Sequence, residues 1–199
     1  MPRPQVRNDD QDPVHTSERI LDLAERLVQT RGFNGFSYAD IAGSLGVTKA
    51  SLHYHFPAKA ELGLRLIARY EKGFLEALAL IDKQVKKPAE KLRRYAAIYA
   101  DVLGDDRMCL CGMLAAEYAT LPKAMQKEIK HFFDENERWL IAVLDQGRRA
   151  DELEFSGAPR EVAALLVSSL EGAMMLARSH GEPKRFRAVA DRLIRDLHP

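Results

Sequence analysis

The sequence has no long apolar run, contains only two cysteines, and carries nearly equal numbers of basic and acidic side chains. No stretch approaches about eighteen uncharged apolar residues, so no membrane-spanning helix is expected. The amino terminus has no apolar core and is therefore not a secretion signal. The two cysteines lie two positions apart, too close for a structural disulfide framework. This is typical of a protein in the reducing cytoplasm. A net charge of +1 gives no general affinity for nucleic acid.

What the sequence has is helical periodicity. With 199 residues, of which 46% are hydrophobic and 30% charged, it can form one or two globular domains with a sizeable core. No strand-like alternation or internal repeat occurs, so the fold class is all-α, with about nine helices. The polar, proline-containing residues 1–14 are predicted to form a flexible arm, in which Arg3 and Arg7 are candidate phosphate or minor-groove contacts. The apolar stripes predict helices near residues 16–31, within 37–56, and at 58–81, 88–103, 112–120, 125–147, 159–178 and 183–197.

The lack of acidic residues in one segment is more informative than the overall charge. None occurs between Ile41 and Ala60. The same segment, residues 37–56, reads as two short helices joined by a turn at Gly46. Ser37 and Asp40 have the spacing of a capping box, and glycine best tolerates the left-handed residue that ends a helix. Thr48 can cap the second helix. An acid-free helix of this size is suited to phosphates and a major groove, although the amino-terminal 62 residues carry seven basic and eight acidic side chains.

Several short motifs in this region resemble the DNA-binding domain of TetR/AcrR-type repressors. The resemblance runs from about His15 to Phe74, roughly a third of the chain. It implies a helix-turn-helix domain over residues 15–74, a ligand-binding and dimerisation domain over 75–199, and a homodimer formed by the last two helices. The residues that carry it are Gly32-Phe33, Phe36-Ser37, Ile41-Ala42, Leu45-Gly46-Val47, Lys49, Leu52, Tyr54-His55-Phe56, Lys59 and Leu62.

The candidate DNA contacts follow from the second helix and its neighbours. Lys49 can donate to guanine in the major groove, and the small Ala50 and Ser51 allow close approach. His53 stands where the family usually has tyrosine, which leaves the contacted base open. Lys59 is predicted to bind a phosphate at the start of the long helix. The complete predicted set is Ser37, Tyr38, Thr48, Lys49, Ala50, Ser51, His53, Tyr54, His55 and Lys59, with the first two contributing their backbone amides.

A second cluster surrounds the two cysteines, Cys109 and Cys111. Cysteine and methionine pack well in cores, so a plain apolar helix start is one interpretation. The other is a sensor, because a cysteine at a helix amino terminus has a lowered pKa and reacts as thiolate. One branch of the TetR/AcrR-type family, which this sequence resembles, has a Cys-Leu pair at the start of the corresponding helix. Some members of that branch respond to oxidants or electrophiles through this cysteine. Cys109 matches that position. No third ligand is spaced for a metal, although His131 is a remote candidate.

The carboxy-terminal half contains side chains suited to an apolar ligand cavity with a few polar anchors. Glu117 and Glu171 are the candidate anchors, and most of the others also fit an ordinary core. The candidate ligand-binding residues are Tyr95, Tyr99, Cys109, Met113, Glu117, Tyr118, Phe133, Trp139, Glu171 and Met174.

The sequence therefore predicts a cytoplasmic, homodimeric transcriptional repressor that leaves a palindromic operator when a small molecule or thiol-reactive inducer binds. No catalytic residue, cofactor, metal or membrane partner is predicted. Two alternatives stay open at this point. One is an enzyme with Cys109 as nucleophile and His131 or His180 as base. The other is a helical module that binds protein rather than DNA. Activation instead of repression also stays open.

Overall fold

The computed structural model describes residues 13–197, which form nine α-helices and no strand. The all-α prediction is thereby confirmed for the described residues. Arg3 and Arg7, in the predicted arm, lie outside them. The helices are α1 (Pro13–Arg31), α2 (Tyr38–Leu45), α3 (Lys49–His55), α4 (Lys59–Gln84), α5 (Pro88–Gly104), α6 (Leu110–Ala116), α7 (Lys123–Arg149), α8 (Pro159–Ser179) and α9 (Pro183–Arg195).

The first three helices pack together with the start of α4 around a small apolar core. Ile20, Ile41, Leu52 and Leu62 contribute one side chain from each helix, and all four are fully buried. The rings of Phe33 and Phe36, in the loop between α1 and α2, close this core from one side. A helix as short as α3 is not stable alone, so this core is what holds it in place.

Helix α4 continues from this core into the carboxy-terminal half. Its buried stripe contains Leu62, Leu66, Phe74, Leu78 and Ile81, one face of the helix as its periodicity predicts. Helix α4 packs on α1 and also on α5, α6 and α7. Both halves of the molecule therefore share this one helix.

Helices α5, α7, α8 and α9 form the carboxy-terminal bundle, in which α8 packs on both α7 and α9. One face of α8 is buried, including Leu166, Leu170 and Met174, whereas Leu165 and Leu176 are 57% and 60% exposed on its other face. Helix α8 is long and apolar enough to cross a membrane. The core helices of soluble proteins often have the same length and composition, so this is weak evidence for a membrane span. Helix α8 therefore has apolar side chains on both its buried and its exposed face.

The segment after the cysteines differs from its predicted form. Instead of one helix over 112–120, α6 begins at Leu110 and ends at Ala116, and a short 3-10 turn covers Tyr118–Thr120. Cys109 is the N-cap, since its sulfur accepts a hydrogen bond from the amide of Gly112 at 3.4 Å. The sequence pattern missed this start because cysteine is an unusual cap.

Candidate DNA-binding surface and effector core

The geometry of α3 is set by its caps and by two buried side chains, Leu52 and Phe56. Gly46 ends α2 in the left-handed region with φ of 69°, and the Thr48 hydroxyl accepts a hydrogen bond from the Ser51 amide at 3.1 Å. At the start of α2, the Asp40 carboxylate accepts bonds from both the amide and the hydroxyl of Ser37, each at 2.7 Å. Leu52 is buried, so α3 can only present its opposite face outward.

That outward face carries several of the predicted DNA contacts. Lys49 and Ala50 are exposed in the first turn, and Ser51 is half-buried. Tyr54 is 77% exposed, unusual for so large a side chain, and its ring contacts the half-buried His55 edge-on with centroids 5.2 Å apart. A surface tyrosine next to a lysine and a histidine provides donors and a flat ring for a nucleic-acid backbone.

Contacts within the protein restrain the side chains of Tyr38 and His53. The Tyr38 side chain is buried, and its hydroxyl donates to the carbonyl of Phe56 at 2.8 Å. The exposed His53 ring lies 4.9 Å from the Tyr38 ring, and its Nδ1 is 3.2 Å from the carbonyl of Pro57. The Tyr38 side chain is therefore unavailable to DNA, and His53 is less free to adapt to a base than its position in α3 suggests.

Lys59 departs from the predicted phosphate contact. Its ammonium is turned inward and donates to the backbone carbonyls of Phe33 and Phe36. It also lies over both aromatic rings, 4.6 Å and 4.1 Å from their centroids. Burial lowers the pKa of Lys59, although Glu117 and Asp40 act in the opposite direction. Two of its three donors are already used, so Lys59 mainly holds the loop between α1 and α2 in place.

The cysteines lie in the buried interior of the carboxy-terminal half. Cys109 is only 1% exposed, and its partners are the Tyr70 hydroxyl, the Glu171 carboxylate and the Gly112 amide rather than a histidine. Burial, then the charge of Glu171, raises the pKa of Cys109 far above its usual value. The Gly112 amide acts in the other direction but is outweighed. The sensor interpretation needs a lowered pKa, and the shift here is in the opposite direction, because the helix-terminus effect is small compared with desolvation.

Aromatic side chains from α4, α5 and α7 surround this interior. The hydroxyls of Tyr95 and Tyr99 are hydrogen-bonded at 3.0 Å, and the Asn136 side chain accepts a bond from Tyr95 at 3.0 Å. The rings of Tyr95 and Trp139 stack with centroids 5.6 Å apart. Met174 is buried, whereas Met113, Phe133 and Trp139 are half-buried.

The two candidate anchors have different roles. Oxygen Oε1 of Glu171 is buried without a hydrogen-bond partner, so this carboxylate faces the interior. Glu117 instead points toward α1, where its carboxylate accepts bonds from the amides of Phe33 at 2.7 Å and Asn34 at 3.2 Å. The Tyr118 side chain is 46% exposed in the 3-10 turn. Glu117 and Tyr118 are therefore not part of the interior around Cys109.

Both parts of the chain match sequence profiles of known families. Residues 20–66 match "Bacterial regulatory proteins, tetR family", and residues 88–193 match "Tetracyclin repressor-like, C-terminal domain". The chain belongs to the TetR family. Its function is transcription regulation through DNA binding, as the resemblance of its helix-turn-helix motif implies.

Individual relatives cover nearly the whole chain. The Escherichia coli K12 "HTH-type transcriptional repressor NemR" is 27% identical over 173 residues, 82% of this chain and 84% of NemR. The Pseudomonas putida "HTH-type transcriptional regulator CymR" is 22% identical and covers 94% of this chain and 91% of its own. A crystal structure of a TetR-family regulator from Agrobacterium tumefaciens has a TM-score of 0.92 at 32% identity, covering 94% of this chain and all of that one.

In this TetR-family chain, contacts between the two domains involve residues that sequence reasoning missed. Arg178 of α8 donates to the carbonyls of Gln29 at 2.9 Å and Thr30 at 2.6 Å, at the end of α1. The Met108 amide also donates to Gln29, at 3.1 Å. We call these bonds and those of Glu117 the interdomain joint. In sequence, Arg178 is merely a basic residue in a last helical turn, so no local signal identifies it.

Proposed function

We propose that this chain is a homodimeric, cytoplasmic repressor, not an enzyme, released from a palindromic operator by a small molecule bound in the interior around Glu171. The observation that supports this most is α3, which is anchored by Leu52 and presents Lys49 and Tyr54 to solvent. A single short helix reads only a few base pairs. A two-fold dimer presents two such helices, spaced by about one turn of DNA or a multiple of it.

An exposed apolar face on α8 and α9 supports the dimer. Leu165, Met175, Leu176 and Val189 are all exposed large apolar side chains, three of them on α8. Soluble monomers rarely expose a contiguous apolar surface of this kind. An isologous contact would bury the same residues on both subunits and fix the separation of the two α3 helices.

We expect Leu176→Arg to convert the dimer into monomers. The substitution places a charge in the centre of the proposed interface, where it would be buried without a partner. Leu80→Arg is the matched control, because Leu80 is 51% exposed on α4, away from α8 and α9. Sedimentation should show a monomer for the first variant and a dimer for the second. A Leu176→Arg variant that stays dimeric would place the interface elsewhere.

The contact with DNA is tested most directly at Lys49. After an operator has been selected from random DNA, Lys49→Ala should weaken binding by ~1–3 kcal/mol, and more for the selected sequence than for random DNA. Lys72→Ala is the matched control, since Lys72 is an exposed lysine of α4 that pairs only loosely with Glu76, at 3.9 Å. Equal affinities of the two variants for the operator in gel shifts would remove Lys49 from the interface.

The interdomain joint gives the mechanism by which an effector would act. A ligand near α6 and α8 changes the positions of Glu117 and Arg178, which hold the end of α1 through charge-assisted hydrogen bonds. A shift of α1 changes the separation of the two α3 helices in the dimer. The ligand only needs to bind one of the two arrangements better than the other.

Glu117→Ala should loosen this joint selectively. The amides of Phe33 and Asn34 lose their acceptor, so their hydrogen exchange should accelerate by roughly 10- to 100-fold, as expected for bonds to a charged group. Glu128→Ala on α7 is the control and should leave both amides protected. Unchanged exchange at Phe33 and Asn34 in Glu117→Ala would show that Glu117 does not restrain the domain.

A further inference from the structure

Two carboxylates near the cysteines lack the hydrogen bonds that buried carboxylates normally have. Oxygen Oε1 of Glu171 and Oε1 of Glu71 are both buried without a hydrogen bond. Glu171 lies so close to α6 that a Cβ on Gly112 would be 2.2 Å from its Oε2. Both carboxylates lie near Cys111, and both raise the pKa of its thiol. A buried ionised carboxylate is costly unless a cation compensates it.

The neighbouring protein groups provide little compensation. Glu171 has only the Cys109 thiol as a hydrogen-bonding side chain. Glu71 has His131 at 3.6 Å, but that imidazole is half exposed, and the nearby Glu128 and Glu135 add further negative charge. Burial raises the pKa of Glu171 to about 7, so the group changes charge near neutral pH. The region therefore attracts positive charge and repels anions.

The surrounding surface is aromatic rather than polar. The Phe74 ring contacts Tyr95, Tyr99 and Phe132, all edge-on, with centroids 6.1, 6.1 and 5.2 Å apart. Tyr95 and Tyr99 also lie close enough to Glu171 for its charge to raise their pKa. Aromatic faces attract organic cations, above all alkylated ammonium groups. No group of three metal-ligating side chains occurs in residues 13–197, which favours an organic cation over a metal ion.

We propose that the effector of this protein is an organic cation, an amine or quaternary ammonium with apolar substituents. Its charged nitrogen pairs with Glu171, and its substituents pack on the aromatic side chains of α4 and α5. This inference rests on the proposed function and specifies the ligand class for it. Glu171 and Arg178 lie seven residues apart on one face of α8, so a ligand at the first residue acts on the interdomain joint through the second.

The test uses phenyltrimethylammonium and its uncharged isostere tert-butylbenzene. Trp139 is the only tryptophan of the chain and stacks on Tyr95, so its fluorescence reports on both probes. We expect saturable quenching by the cation in the full-length dimer, with at least tenfold weaker binding of the isostere. Glu171→Gln should lose at least tenfold in affinity for the cation and keep its affinity for the isostere. Glu152→Gln, an exposed carboxylate after α7, is the matched control.

Absence of saturable quenching by the cation, equal affinity for both probes, or unchanged binding in Glu171→Gln would overturn the inference. Circular dichroism checks that this variant folds, and Glu71→Gln, with an expected smaller loss, gives a second measurement. Gel shifts in parallel separate the two proposals. A chain that binds its operator but not the cation contradicts only the ligand class. A chain that binds the cation and no DNA contradicts the proposed function.

Discussion

Replacement of Lys59 by methionine is expected to destabilise the amino-terminal domain by about 2–3 kcal/mol. The ammonium holds the carbonyls of Phe33 and Phe36, and methionine reproduces the lysine side chain up to the ammonium but has no donor. The carbonyls would lose their partner, and the contact of the cation with both rings would be lost as well. Urea unfolding, followed by circular dichroism, measures the change. Lys72→Met, at an exposed position of α4, should change it little.

The same variant distinguishes a structural role from a phosphate contact. If Lys59 contacts a phosphate, its loss reduces the slope of operator affinity against salt concentration by about one. If it acts through the loop, affinity falls on every DNA sequence while the slope stays unchanged, because no counterion-releasing contact is removed. We expect the second result. A reduced slope with normal stability would restore the contact predicted from the sequence.

Lys59 illustrates what the sequence could and could not predict. The helix-turn-helix was readable because its signals are local: Gly46 ends one helix, Thr48 caps the next, and Leu52 lies at the correct spacing to anchor it. The role of Lys59 depends on carbonyls 23 and 26 positions away in the chain. A basic residue at a helix start looks the same in sequence whether it faces a phosphate or its own protein.

The cysteines and Glu117 are harder to interpret for the same reason. The sensor interpretation places Cys109 at a helix start, where the structure has it as the N-cap of α6, but the pKa of its thiol depends on burial and on Glu171 of a different helix. Glu117 is predicted to face a ligand, whereas its bonds are to amides 83 and 84 positions earlier. Periodicity predicts which face of a helix is buried but not which neighbour lies opposite it.

Glu171 should make the stability of the protein depend on pH in a way that Glu171→Gln abolishes. Its pKa is raised from 4.5 to about 7 in the folded protein, so the folded state binds the proton more tightly than the unfolded chain. The associated stability is fully present below about pH 4.5 and is lost as the pH rises to about 7. The total loss is about 3 kcal/mol, because a tenfold difference in proton affinity between the two states corresponds to about 1.4 kcal/mol.

We therefore expect Glu171→Gln to match the parent protein near pH 4 and to be more stable by up to about 3 kcal/mol at pH 8. Urea unfolding at several pH values measures both proteins. The other titratable groups around Glu171 are Tyr70, Tyr95, Tyr99, Cys109 and Cys111, whose raised pKa values keep them neutral throughout this range. Glu71 titrates in both proteins, so its contribution cancels in the difference. A difference that stays constant from pH 5 to 8 would mean that Glu171 is already ionised and paired in the absence of ligand.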